Sequence, residues 1–176
     1  MITDPKFLAA VKRTLRNEGG YVDNVIETTN FGISLKFLRT CQPGATADDI
    51  RAMTAEAATA LYYTYFWQAH RLGEIADARL AGRAFDLTVN MGAGGITAAG
   101  KPVWGGVTLL QLATRDISVD GLLGPVTLAA INAQDPARLY PRYVAAADLR
   151  YRAIAQAPGK ALYLDGWLSR LHDEDA

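Results

Sequence analysis

The 176-residue sequence is poor in the side chains that several common chemistries require: it has one cysteine, two histidines and no excess of either charge. Cys41 stands alone, so no intramolecular disulfide can form and a reducing compartment suits the chain. No histidine motif accompanies it, and it reads as a small buried hydrophobe rather than a nucleophile. His70 and His172 are too few to assemble a zinc amidase or peptidase site, so neither metal nor cofactor is expected. Eighteen lysines and arginines balance eighteen acids, which leaves none of the basic excess of a nucleic-acid binder. The cluster Lys12, Arg13 and Arg16 reads as a solvated helix face, or as a contact for an anionic polymer. No window is apolar enough to span a membrane. The first sixteen residues place charges inside an amphipathic helix, so synthesis in the cytoplasm without a secretory signal is expected. There is no fixed-period repeat and no low-complexity segment. Half of the residues are hydrophobic, ample for one domain or two small lobes.

What is present begins with a helix. Asp4 can cap it and Pro5 suits its first position, where a missing N–H loses nothing. Phe7, Leu8, Val11 and Leu15 supply an apolar face, and Gly19-Gly20 stops the helix. Glu18 therefore falls in or just past the last turn. There it meets the negative end of the helix dipole, which disfavours its ionised form. Partial burial under the glycine turn would raise its pKa further, as a general acid working near neutrality needs. The alternative is an exposed glutamate that merely precedes a glycine stop.

Tyr21 and Val22 lead into a polar stretch, and Thr29-Asn30-Phe31-Gly32-Ile33 reads as a short strand or turn. A glycosidase needs a second polar group facing the acid across the sugar. Glu27, nine residues after Glu18, Asp23, and Thr29, eleven after it, are the candidates. A solvated hairpin rich in acids and threonines is the competing reading.

The remainder reads as helices joined by short loops. Thr46, with Asp48 and Asp49 behind it, and Thr54 can cap two of them, the second running to about Ala69 with Tyr62 and Phe66 inward and Tyr63 and Trp67 on another face. Further helices are expected over about 79–90, 107–114, 125–132, 136–155 and 167–171, with a glycine-rich loop from Gly92 to Gly106 marking any boundary. Asn90 can bond a substrate hydroxyl or N-acetyl group, or cap its own helix. Asp86 can face the same cleft or pair with Arg83. Asp120-Gly121 and Gly124-Pro125 read as a turn opening a helix, and Trp167 as a core anchor rather than a ligand-stacking ring.

The segments Glu18-Gly19-Gly20-Tyr21 and Thr29-Asn30-Phe31-Gly32-Ile33 resemble the signature of glycoside hydrolase family 108, the peptidoglycan-cleaving muramidases of phages and bacteria. Residues 85–92, from Phe85 to Gly92, resemble that family's second helix and turn. Leu110-Gln111 with residues 120–127 resembles its C-terminal peptidoglycan-binding-type region, and Gly166-Trp167-Leu168-Ser169-Arg170 its closing motif. The resemblance implies a mainly α, lysozyme-like helical fold with a short β-hairpin or loop after the first helix. It implies a catalytic region over residues 1–95 and a helical peptidoglycan-binding-type region over 96–176, packed as one compact unit. The implied activity is cleavage of the bond between N-acetylmuramic acid and N-acetylglucosamine, with Glu18 as acid and Glu27 and Thr29 as its partners. Tyr21, Asn30 and Asn90 are the implied substrate contacts. The segment between Tyr21 and Thr29 is shorter than in the family, which makes Asp23 a rival to Glu27. The partner is the glycan strand, met by a monomer after release through a holin-type pore or a secretion system. A lytic transglycosylase and a noncatalytic wall-binding protein are the alternatives on the same fold.

Overall fold

The structure, a computed structural model, describes residues 2–17, 22–23 and 28–173. It is mainly α-helical, with a short antiparallel hairpin after the first helix, as the sequence led one to expect. The chain packs as two compact units, residues 1–65 and 66–176.

The first unit opens with α1 (Pro5–Asn17). The Asp4 carboxylate accepts from the Lys6 and Phe7 N–H groups at 3.0 and 3.2 Å, so the expected cap is in place. The buried stripe is Phe7, Ala10, Val11 and Thr14. Leu8, expected on it, is exposed, because position i+1 lies about 100° around the helix from Phe7 while i+3, i+4 and i+7 lie beneath it. Three short strands follow, β1 (Val22–Asp23), β2 (Thr28–Asn30) and β3 (Ile33–Ser34), in an antiparallel sheet with β2 in the middle. Phe31 and Gly32 join β2 to β3 with φ of 50° and 74°, the left-handed pair that a two-residue hairpin turn requires.

Ser34 then caps α2 (Leu35–Cys41), and a reciprocal Thr46–Asp49 capping box opens α3 (Ala47–Arg51). Thr54 caps α4 (Ala55–Tyr62). The helix expected to continue to Ala69 instead becomes π-helical over Tyr63–Gln68. A π turn closes i to i+5 and so shifts the inward position along by one residue. Trp67 is accordingly buried and packs edge-on against Phe85 at 5.9 Å, while Phe66, expected in the core, is half-buried.

In the second unit, Asp77 caps α5 (Ala78–Met91). The expected glycine-rich loop is in part a hairpin, β4 (Gly94–Ile96) pairing with β5 (Pro102–Trp104). Glycine hid the strands, since its backbone freedom carries no strand preference. It is required here because a Cβ on Gly94 would lie 2.3 Å from the Thr108 hydroxyl. Next come α6 (Gly106–Thr114), α7 (Pro125–Asn132) and α8 (Pro136–Ala155), the last two starting on the prolines that marked them. The chain closes with α9 (Leu164–His172), longer than expected. Helices α5, α6 and α8 pack on one another around Phe85, Leu87, Val107, Leu110, Leu139 and Tyr143. Each such side chain contributes roughly 1.5–3 kcal/mol by leaving water.

Candidate functional site

Glu18 follows directly on the last residue of α1, and Glu18, Tyr21 and Glu27 lie outside the described residues. Asp23 pairs in register with Thr28, and Thr29 with Val22 on one side and Ser34 on the other. Thr29 thus sits on the central strand, half-buried. Side chains alternate along a strand, so Asn30 points the other way, into the unit. Its side-chain amide donates to the Ile50 carbonyl at 3.0 Å and ties β2 to α3. The Tyr62 hydroxyl donates to the Phe31 carbonyl at 3.0 Å and ties the hairpin tip to α4. These two bonds, each spanning 20 residues or more, hold the strand that carries Thr29 to the surrounding helices. Thr29 and Asn30 are neighbours in the chain but stand on opposite faces.

Asn90 belongs to the second unit, in the last turn of α5. It is half-buried, and its amide donates to the Asp86 carbonyl at 2.8 Å. Asp86 is buried and accepts from Arg170 Nε and Nη2 at 2.9 and 2.7 Å, with Arg83 Nη1 at 3.6 Å. Arg83 donates in turn to the Tyr140 hydroxyl and to the carbonyls of Arg170 and Asp173, each at 3.1 Å. Of the two roles open to Asp86, pairing with Arg83 is the one realised, with Arg170 added from the far end of the chain. Burial pushes the Tyr143 phenol well above its usual range and keeps its O–H as the donor to the Gly106 carbonyl at 2.7 Å.

The turn before α7 is built around one amide. Gln111 donates to the Asp120 carboxylate at 2.8 Å and to the Leu122 carbonyl at 3.1 Å, and accepts from the Gly121 N–H at 2.8 Å. The Gln111 side chain, followed by the Leu122 N–H, holds the Asp120 carboxyl below the usual range.

Cys41, expected to be buried, is half-buried at the end of α2 with its sulfur 3.7 Å from the Thr40 hydroxyl. Trp167 is half-buried too, because its ring lies in a stack rather than in the helical core. Tyr151 stacks with it at 5.4 Å and 22°, and Tyr163 at 5.9 Å and 26°. Lys160 and Tyr163 were not singled out in the sequence, although the i, i+4 spacing of Tyr163 and Trp167 would have brought the rings together. Among the described residues, no group of three or more His, Cys, Asp or Glu side chains is placed to hold a metal ion, and no helix is long and apolar enough to cross a membrane.

Residues 11–92 match the family model of glycosyl hydrolase 108, and residues 105–172 match that of a predicted peptidoglycan domain. Two family models thus match successive stretches of the chain, in the order that the resemblance of its motifs implied. The structure of SagA from Brucella abortus is similar in fold, with a TM-score of 0.78 and 24% identity over 96% of this chain and 91% of that one. The curated proteins include no match.

Proposed function

We propose that the protein is an N-acetylmuramidase that cleaves the bond between N-acetylmuramic acid and N-acetylglucosamine in peptidoglycan, with Glu18 as the general acid. The observation that carries this reading is the order of the two matched regions, together with helix α1 leading up to Glu18 in the sequence and a pinned hairpin that carries Thr29. The Glu18 carboxyl gives its proton to the glycosidic oxygen as the bond from the muramic acid C1 breaks. A water adds to C1 from the opposite face and yields its proton to Glu27 or Asp23, with Thr29 orienting it. Water attack on that face inverts the anomeric centre. Tyr21 and Asn90 are the proposed substrate contacts, whereas Asn30, expected among them, is buried and bonded to Ile50 and serves to hold the strand. Residues 1–95 supply the chemistry and 96–176 the grip on the wall.

Digestion of purified peptidoglycan by wild type and Glu18→Gln tests the assignment. Release of reducing ends falls roughly 10²–10⁴-fold in the variant while wall binding persists. Equal activity removes Glu18 from the role. Binding without turnover in the wild type makes the protein a wall-binding module, and 1,6-anhydro products make it a transglycosylase.

A further inference from the structure

Trp167 is stacked with both Tyr151 and Tyr163, and the two tyrosines differ in exposure. Tyr151 is buried and Tyr163 is 49% exposed. Tyr163 sits in a 3-10 turn, Ala161–Tyr163, that leads straight into α9. Leu162 beside it is 72% exposed, and Lys160 places its ammonium 5.7 Å from the Tyr163 ring centre. That distance is near the outer limit of about 6 Å for a cation over a ring, so the ammonium does not seal the ring.

A flat, apolar ring stacked on a neighbouring ring has less conformational freedom left to lose on binding than a solvated side chain. A pyranose offers the matching surface in its C–H face, and the tyrosine hydroxyl adds a hydrogen-bond handle. A cation three residues away matches a polymer that carries carboxylates on the peptides attached to its sugars. These features lie inside residues 105–172, the region that matches a peptidoglycan domain.

We infer that Tyr163, backed by Trp167 and Tyr151, is a stacking platform for an N-acetylated amino sugar of the glycan strand, and that Lys160 pairs with a carboxylate of the attached peptide. The inference deepens the proposed function and rests on the reading that the protein acts on peptidoglycan. It adds a second contact with the polymer, carried on α9 and the turn before it.

The test is co-sedimentation of the full chain with purified peptidoglycan, in a Glu18→Gln background so that the wall stays intact, alongside titration with N-acetylglucosamine oligomers followed by tryptophan fluorescence. Tyr163→Ala is expected to weaken wall binding about tenfold and to abolish the oligomer-induced change in Trp167 emission. Tyr163→Phe keeps the ring and stays within about threefold of the parent, since only the hydroxyl bond is lost. Lys160→Gln loses the salt-sensitive part of wall binding and leaves the oligomers, which carry no carboxylate, unaffected. Thermal unfolding of each variant confirms that it is folded, and Val126→Ala, an exposed side chain on another helix, controls for loss of apolar surface. A folded Tyr163→Ala protein with parental affinity for wall and oligomers overturns the platform, whatever the activity of Glu18. A parent that binds neither probe overturns the platform and the peptidoglycan reading together, whereas binding that depends on Tyr163 in a chain without turnover upholds the platform and removes only the hydrolase.

Discussion

Asp86 shows how a side chain that invites a functional reading can be fully occupied by its neighbours. The i, i+3 spacing to Arg83 is visible in the sequence, but Arg170, 84 residues away, makes the two shortest bonds to it. With Arg83 and Asp86 both buried, the ion pair holds only while each charge keeps its partners. Asp86→Ala leaves two guanidinium groups facing a vacated site. We expect a loss of about 3–5 kcal/mol of stability, read as a lower urea midpoint at unchanged slope. Asn30 has a comparable structural bond to Ile50, which the sequence does not reveal because the carbonyl it reaches belongs to a helix three elements further on. Glu18 is proposed from local features alone, a helix, a glycine pair and a carboxylate between them, and lies outside the described residues.

At the scale of elements, starts were more legible than the geometry between them. Asp4, Thr46 and Thr54, the caps read from the sequence, each accept backbone N–H bonds at a helix start, since a cap is encoded within three residues of itself; Ser34 and Asp77 do the same at two starts that were not read there. The π-helical segment and the β4–β5 hairpin were not legible, because both depend on what packs beside them. The link from α6 to the turn before α7 carries a pH prediction. Hydrogen bonds from Gln111 and Leu122 lower the folded-state pKa of Asp120, so its stabilisation is complete above the unfolded value of about 3.9 and is lost as pH falls through that value toward the lower folded one. Urea midpoints of wild type and Asp120→Asn measured from pH 7 down to pH 3 should converge as the solution becomes acid. A gap that stays constant would mean that the carboxylate charge does not stabilise the turn.

At the scale of the whole molecule, the boundary of packing and the boundary between matched regions fall at different places. The compact units divide between residues 65 and 66, whereas the hydrolase match runs on to residue 92. Helix α5 therefore lies by sequence in the stretch that matches the hydrolase model and by packing in the unit that holds the stretch matching the peptidoglycan model. The Gly106 backbone approaches α5 so closely that a Cβ there would lie 2.5 Å from the Thr88 hydroxyl. A fragment of residues 66–176 should show helical circular dichroism and a cooperative thermal transition. A fragment of residues 96–176 lacks Leu80, Ala84, Phe85 and Leu87 of that core and should show no such transition.

The sequence by itself determined the helical periodicity, the caps at Asp4, Thr46 and Thr54 and the proline starts, because each depends on residues within about one helical turn of one another. Its ordered motifs also marked both matched regions. Only the tertiary structure decided which polar groups are spent on scaffold bonds, as Asn30, Asp86 and Gln111 are, and which ring is left facing water, as Tyr163 is. Those outcomes follow from contacts between segments tens of residues apart, and the energy of such a contact depends on burial and distance that local sequence does not specify.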